Sequence, residues 1–398
     1  MCDAHRDKAN SLSESPDGTN SLASNDTSGD DTLDDFFIDR AIDLAWMAAG
    51  KTQRNPLVGA LVVKDGRILG AGYHRKYGED HAETIALERA GETARGSTLY
   101  VTLEPCAHVG NTPPCVDHVI ESGVTRVVIP TLDPDDRVYG RGVRMLRERG
   151  ISVDVGARAD RALLLNMAYF KAKLGLGPAV TLKIAVTLDG KIASRPGKRD
   201  DITGSDARRM VHRLRAVHDG VLIGIETFVT DSPQLDCRLL DSVDPPVPIV
   251  IDGGLKFPDA HPWLDRRQAV ILTAEEASKE REATLVRAGA RVIRCRTRGA
   301  SIDVAAAVAG LHEHGIPSVL VEGGGKVFSS FAEAGVWDGM FVFVSPALFG
   351  PEGVGLADRV VGRKNLGARF AGASLLSEDI VVSFINAKTR SAVLERLS

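Results

Sequence analysis

A surplus of basic residues is absent from this 398-residue sequence: 49 Lys and Arg face 53 Asp and Glu, for a formal net charge of −4. A protein that grips nucleic-acid backbone needs a dense cationic surface, so no nucleic-acid partner is expected. A small phosphorylated ligand needs only a local cluster of Arg or Lys and stays open. Long apolar runs are also missing. The longest, such as 302–311, falls well short of the ~18–20 residues of a bilayer span, so no membrane partner is expected. No apolar core follows a basic start at the N-terminus, which disfavours a secretory signal. Cysteine is scarce: Cys2, Cys106, Cys115, Cys237 and Cys295 are too few and too scattered for a disulfide framework. The expected compartment is a reducing cytoplasm. Nothing in the composition speaks against a homo-oligomer.

What is present is an ordinary globular composition, 43% hydrophobic and 26% charged, with length for two to three domains of about 150 residues each. Residues 1–33 are polar and Ser/Asp/Asn-rich, and they read as a disordered arm. From Asp34, apolar residues recur at helical spacing through Ala48. Short strand patterns (57–63, 67–72, 97–103, 126–130, 151–155) then alternate with helical ones (81–90, 114–122, 142–149), predicting an α/β layered domain over 34–156. Residues 157–178 read as one helix, 158–173, and a linker ending in Gly175-Leu-Gly-Pro178. A second α/β domain is expected over 179–398, with strands at 179–187, 220–225, 247–251, 268–272, 290–293, 318–321 and 341–344.

Three segments of the first domain belong together chemically: His81-Ala-Glu83, Glu104-Pro-Cys106 and Pro113-Pro-Cys115. His81, Cys106 and Cys115 can supply three ligands to a tetrahedral zinc, one Zn2+ per site, leaving the fourth position for water. Two thiolates balance the charge of the metal, and helix N-termini nearby favour thiolate over thiol. Glu83, two residues from the His ligand, is placed to take a proton from that water and return it to the substrate as catalytic acid/base. Zinc deaminases use this logic with an H-x-E and P-C-x-x-C pattern; here the second half is P-C-x8-C. An H-x-E triplet or a pair of cysteines alone means little. A closed structural zinc site, with His108 as fourth ligand, is the competing reading.

The run Thr98-Leu-Tyr-Val-Thr-Leu-Glu-Pro-Cys-Ala-His-Val-Gly-Asn-Thr-Pro-Pro-Cys115 resembles the signature of the bifunctional riboflavin-biosynthesis deaminase/reductase family. Asn55-Pro-Leu-Val-Gly59 and Gly72-Tyr-His74 match earlier blocks of that family. The resemblance implies a cytidine-deaminase-like three-layer domain acting on a small phosphorylated pyrimidine, 2,5-diamino-6-(5-phosphoribosylamino)pyrimidin-4-one. It places Asn55, His74 and His108 in the substrate pocket. Departures are Arg54 in place of Pro, Asn111 in place of a basic residue, and Asp133-Pro-Asp135-Asp136 in place of Asp-Pro-Asn-Pro. Asp135 would add negative charge near a phosphate.

The second domain offers weaker signals of its own. Gly323-Gly-Gly325 between a strand and a helix can hold a phosphate on backbone N–H groups, though such a junction is also a plain turn. It is not the G-x-G-x-x-G fingerprint. Here Lys183-Ile-Ala-Val-Thr-Leu-Asp-Gly190, Ile202-Thr203, Arg238 and Val321-Glu-Gly-Gly resemble the family's reductase half. The resemblance implies a dihydrofolate-reductase-like α/β domain that binds NADPH and reduces the ribosyl group to ribityl. Its cofactor residues would be Ala185, Asp201, Thr227, Asp231, Gly253, Gly324, Gly325, Lys326, Val327, Phe328, Ser329 and Ser330. Lys183, Arg199, Arg215, Leu235, Arg238 and Glu322 would meet the substrate, Arg215 and Arg238 as phosphate clamps, Lys183 and Glu322 in proton handling. Asp201 stands where the family has Trp, and Arg199 where it has a small polar residue.

Overall fold

The computed structural model describes residues 28–108, 114–356 and 366–397. The disordered arm expected over 1–33 lies outside them up to residue 27, as does Asn111.

The first domain runs α1 (Ser28–Ala45), β1 (Gly59–Lys64), β2 (Arg67–Tyr73), α2 (Ala82–Ala90), β3 (Thr98–Val101), α3 (Cys115–Ser122), β4 (Arg126–Ile129), α4 (Arg141–Glu148) and β5 (Ser152–Val155). Helix α1 starts at Ser28, six residues before the expected boundary, because extending an existing helix costs far less than nucleating one. The sheet order is β2-β1-β3-β4-β5, with β1 antiparallel to both neighbours and β3, β4 and β5 parallel. Side chains alternate between its faces, as the period of two requires. Leu61, Val63, Tyr100 and Val128 pack with α1 on one face. Ala60, Val62, Leu99, Val127 and Ile129 pack with α2, α3 and α4 on the other, which gives the three layers.

Between the domains lie α5 (Ala159–Leu165) and α6 (Met167–Leu174), two helices where one was expected. The break is at Asn166, whose side-chain amide accepts from Leu57 N at 2.8 Å and donates to Leu57 O at 2.9 Å. A buried Asn that satisfies another segment's backbone competes with its own helix. Leu163 and Phe170 are fully buried, and the same apolar cluster continues into both domains. The segment is therefore core rather than a free linker.

The second domain comprises β6 (Ala179–Thr187), β7 (Lys191–Ala193), α7 (Ser205–Ala216), β8 (Gly220–Gly224), α8 (Ile225–Asp231), β9 (Val247–Ile251), α9 (Pro262–Arg267), β10 (Val270–Ala274), α10 (Lys279–Arg287) and β11 (Arg291–Cys295). After the short pair β12 (Thr297–Arg298) and β13 (Ser301–Ile302) come α11 (Val304–Glu313), β14 (Ser318–Val321), α12 (Gly325–Ala334) and β15 (Gly339–Ser345). The chain ends with β16 (Val354–Gly355), β17 (Ala368–Leu376), β18 (Asp379–Asn386) and α13 (Ala387–Arg396). Nine strands form one sheet in the order β11-β10-β9-β8-β14-β6-β15-β18-β17. The strands are parallel up to β15; β18 pairs antiparallel with β15 and with β17. The sequence reading placed no element after residue 344. No helix among the described residues is long and apolar enough to cross a membrane.

Candidate functional site

His81 is the residue before α2, in extended conformation, and Cys115 is the first residue of α3, set there by Pro114. Cys106 lies in the loop after β3, where its carbonyl accepts from Val116 N and its sulfur accepts from Cys115 N at 3.3 Å. Two helix N-termini thus converge on three donors. His81 Nδ1 is 3.0 Å from Cys115 Sγ and 3.6 Å from Cys106 Sγ, and all three donor atoms lie within 4.8 Å of one another. His108 is not among them, so the closed four-ligand site is not formed by the described residues. The donor set, one imidazole and two sulfurs, fits a tetrahedral zinc with one position left over. The hydrogen bond between the two sulfurs pulls the Cys106 thiol below its ordinary value and pushes the Cys115 thiol above it, so they share a proton between them, and a divalent cation held there would favour thiolate in both.

Glu83, in the first turn of α2, is buried, and burial pushes its carboxyl up to about 7. It lines a cavity of about 320 Å³ together with His74, His81, Cys106, His108 and Asn55. The deaminase residues that the sequence singles out, apart from Cys115 behind the wall, therefore share one chamber. The His74 ring stands nearly perpendicular to His81, with centroids 5.4 Å apart. Its Nδ1 is 3.2 Å from Asp80 O, an acceptor only, so Nδ1 carries the proton. Burial keeps the ring neutral, and Nε2 is left as a buried acceptor without a partner. His108 Nδ1 is likewise buried and unpartnered. Orphan polar atoms are costly in a finished core, so a cavity wall that holds two is prepared for a polar ligand.

Sequence reasoning assigned no role to Glu104. Its carboxylate accepts from Asp133 N, Gly140 N and Val143 N, at 3.2, 2.9 and 3.1 Å, and so caps the N-terminus of α4. Gly142 completes that contact: a Cβ there would sit 2.3 Å from Pro105 O. Tyr169 was also missed. It reaches the cavity from α6 and donates to Asp133 at 2.8 Å. No motif announces it, because it belongs to the segment between the domains.

In the second domain the expected residues fall into three groups. Lys183 on β6, Arg215 on α7 and Glu322 after β14 form a buried ion network. Arg215 grips Glu322 through Nε at 2.6 Å and Nη2 at 3.0 Å, and Lys183 Nζ lies 3.9 Å from the same carboxylate. Arg215 Nη1 also donates to Asp236 O, and Asp236 pairs with the half-exposed Arg238 at 2.6 Å. A second group surrounds the start of α12. Gly324 N donates to Thr227 Oγ1 at 3.1 Å, and a Cβ on Gly324 would lie 2.9 Å from that oxygen. Gly325 opens the helix, and Lys326 pairs with Glu226. The sequence-flagged Val327, Ser329 and Ser330 follow within α12. Phe328 packs into the core, so only its backbone can face a ligand, and the same holds for buried Leu235. A third, exposed group joins Arg199, whose guanidinium donates to Asp231 O, and Asp201 4.0 Å away. Gly253, after β9, has open space around it and accepts from Thr273 through its carbonyl. Ala185 on β6 pairs in register with Phe343 and is half-buried.

Comparison with known proteins finds a match in each half of the chain. Residues 31–131 match the cytidine and deoxycytidylate deaminase zinc-binding region, and residues 178–382 match the RibD C-terminal domain. The riboflavin biosynthesis protein RibD of Aquifex aeolicus is 38% identical over 354 residues, covering 88% of this chain and 98% of that protein. RibD of Escherichia coli is 35% identical over 336 residues, 81% of this chain and 90% of that one. Among solved structures, the diaminohydroxyphosphoribosylaminopyrimidine deaminase/5-amino-6-(5-phosphoribosylamino)uracil reductase of Thermotoga maritima is 35% identical, with a TM-score of 0.61 over 90% of this chain and 99% of that chain. Acinetobacter baumannii RibD is 33% identical, with a TM-score of 0.60 over 89% and 99%.

Proposed function

This chain belongs to the RibD family of riboflavin-biosynthesis proteins, and from that premise we propose which of its residues carry its two reactions. It is a bifunctional enzyme, a zinc-dependent deaminase joined to an NADPH-dependent reductase. The observation that carries the residue assignment is the convergence of His81, Cys106 and Cys115 beside buried Glu83.

The substrate of the first reaction is 2,5-diamino-6-(5-phosphoribosylamino)pyrimidin-4-one, which loses its ring amine as ammonia. Zinc on the three donors would acidify a water at neutral pH. Glu83 would carry one proton of that water to the ring nitrogen and, once the oxygen has bonded to the ring carbon, the second to the departing amine, so that both protons of the water are accounted for. Its burial supports this shuttle, since a carboxyl with raised affinity for a proton gives and takes one near neutrality. The His74 Nε2 acceptor suits an amino N–H of the pyrimidine. His108 and Asn55 offer the remaining polar contacts.

In the second reaction NADPH supplies hydride to the sugar. The glycine-rich start of α12, where a side chain would strike Thr227, suits a phosphate-bearing cofactor on exposed backbone N–H groups. Lys183 and Glu322 would move the proton as the ribose ring opens. Arg215 is already committed to Glu322 and Asp236, so we assign it to holding that carboxylate, and we give the substrate's phosphate to Arg238. The reading places the protein in the cytoplasm, where the cysteine ligands stay reduced.

The test is metal analysis of the purified protein with ammonia release from the diaminopyrimidine, followed by NADPH oxidation on the deaminated product. One zinc per chain and both activities are expected. A folded, zinc-loaded protein that releases no ammonia overturns the deaminase assignment, and one that leaves NADPH unoxidised overturns the reductase assignment.

A further inference from the structure

We infer that Arg137 and Lys173, held together by Asp135, form the receptor for the substrate's phosphate at the mouth of the deaminase cavity. This specificity device rests on the deaminase reading above. Among the described residues that line the cavity, Glu79, Glu83, Glu104, Asp133 and Asp135 are acids, and Arg137 is the one Arg or Lys. A phosphorylated pyrimidine entering such a chamber finds one fixed side-chain cation, Arg137, among those acids.

The geometry around Asp135 fixes that cation. Arg137 contacts its carboxylate through Nε at 2.9 Å and Nη2 at 2.7 Å. Lys173 Nζ shares the same oxygen, Oδ2, at 2.6 Å. The carboxylate side chain is only 8% exposed, whereas those of Arg137 and Lys173 are 66% and 39% exposed. One anion therefore sits inside and two cations face outward, leaving a net charge of +1 turned toward the solvent. The two cations hold the Asp135 carboxyl far below the usual carboxylate range, so the arrangement persists throughout the neutral region. Asp135 is thus not the repulsive group its sequence position suggests; it serves as an anchor that fixes two donors.

Placement supports the assignment. A second cavity of about 510 Å³ lies between the domains and shares Asn55, Pro56, Asp135, Arg137 and Tyr169 with the deaminase chamber; Lys173 lines it too. The triad thus marks the junction of the two spaces. Glu83 and Arg137 line the same chamber, so one ligand can touch both. Lys173 comes from α6, outside the deaminase sheet, and Lys171 of the same helix is tied to Asp338 of the second domain at 2.8 Å. The deaminase borrows a phosphate ligand from a helix that the reductase half holds in place.

The experiment compares ammonia release from the phosphorylated substrate and from its phosphate-free nucleoside counterpart, in wild type, Arg137→Gln, Lys173→Gln and the double variant. Charge-assisted contacts of this kind are worth about tenfold each or more. The expected result is a KM for the phosphorylated substrate raised about tenfold in each single variant and about a hundredfold in the double. Values of kcat and all constants for the phosphate-free substrate should stay unchanged, and Arg137→Lys should recover part of the loss. Equal losses on both substrates, a fall confined to kcat, or no change overturns the inference. A 31P titration of the zinc-loaded protein with inorganic phosphate compares wild type with the double variant without turnover. If wild type releases no ammonia from either substrate, the deaminase reading fails. The titration still decides the receptor: weaker phosphate binding in the double variant supports it, and identical binding rejects it.

Discussion

In the deaminase half, three metal donors and an acid converge from two helix N-termini within a few residues of sequence motifs. In the reductase half, the expected residues are spread over β6, α7, α8 and α12 and meet through a buried Lys183–Glu322–Arg215 network and a glycine cradle. The first site depends on residue type, because few side chains bind zinc. The second depends on shape, because a nucleotide phosphate is held largely by backbone N–H groups that many sequences can supply. A single substitution should therefore silence the deaminase cleanly, whereas the reductase should lose stability and activity together.

The largest effect should come from Glu83→Gln. General acid–base catalysis is worth about 10²–10⁴ in rate, and ammonia release should fall by that range or more. Zinc content and NADPH oxidation on the deaminated product should be unchanged, since Glu83 is no ligand and lies in the other half. Parallel loss of NADPH oxidation would break the comparison.

Glu322→Gln is the matching change in the reductase. It removes the charge from a carboxylate bound by Arg215 and Lys183, all of them mostly buried. Removing one member of a buried ion network costs about 3–5 kcal/mol. We expect a lowered Tm and loss of NADPH oxidation, with ammonia release retained below the new transition. Because one apolar cluster spans both domains, a single shifted transition in calorimetry would mean that the halves unfold as one unit. Two transitions would mean that they do not.

The same contrast explains what the sequence disclosed. The grouping of His81, Cys106, Cys115 and Glu83 and the alternation of strands and helices were legible, because rare residue types and strict periods carry them. Glu104 stood inside the Glu-Pro-Cys motif, yet its role was hidden, since nothing in those three residues says that the carboxylate caps a helix starting at Arg141. Tyr169 and Lys173 were invisible because they come from a segment read as connection, and the reading of Asp135 as bare negative charge missed Lys173 for the same reason. The break at Asn166 could not be found either: its partner, Leu57, is 109 residues away. Long-range side-chain bonds leave no local pattern.

That bond gives a third prediction, at the seam between the halves. Asn166→Leu keeps the volume but strands the buried N–H and C=O of Leu57. Two lost bonds of about 1 kcal/mol each suggest about 2 kcal/mol of destabilisation, read as a shift in the urea midpoint. Leu57 is two residues from Asn55, so KM for deamination should rise while zinc content holds. A change in NADPH oxidation alone would locate the effect on the wrong side of the seam.

The smallest effect expected is that of Asp133→Asn, and its sign follows from the burial of the deaminase chamber. Burial raises the Asp133 carboxyl to about 6, above the unfolded value near 3.8. The folded state therefore holds the proton more tightly. The stabilisation from this group is complete below the unfolded value and is lost as the pH rises through about 6. Above that, the charged, buried carboxylate opposes folding. Asn keeps the oxygen that accepts from Tyr169 and Asp135 N but cannot ionise. Asp133→Asn should thus leave stability nearly unchanged at pH 4 and raise it increasingly towards pH 7.5, where the wild-type carboxyl has ionised in the folded protein. Urea midpoints of both proteins across that range check it. A difference that does not grow with pH would mean that Asp133 is charged in the folded state throughout, with Tyr169 stabilising the anion, and the chamber would then be better solvated than its packing implies.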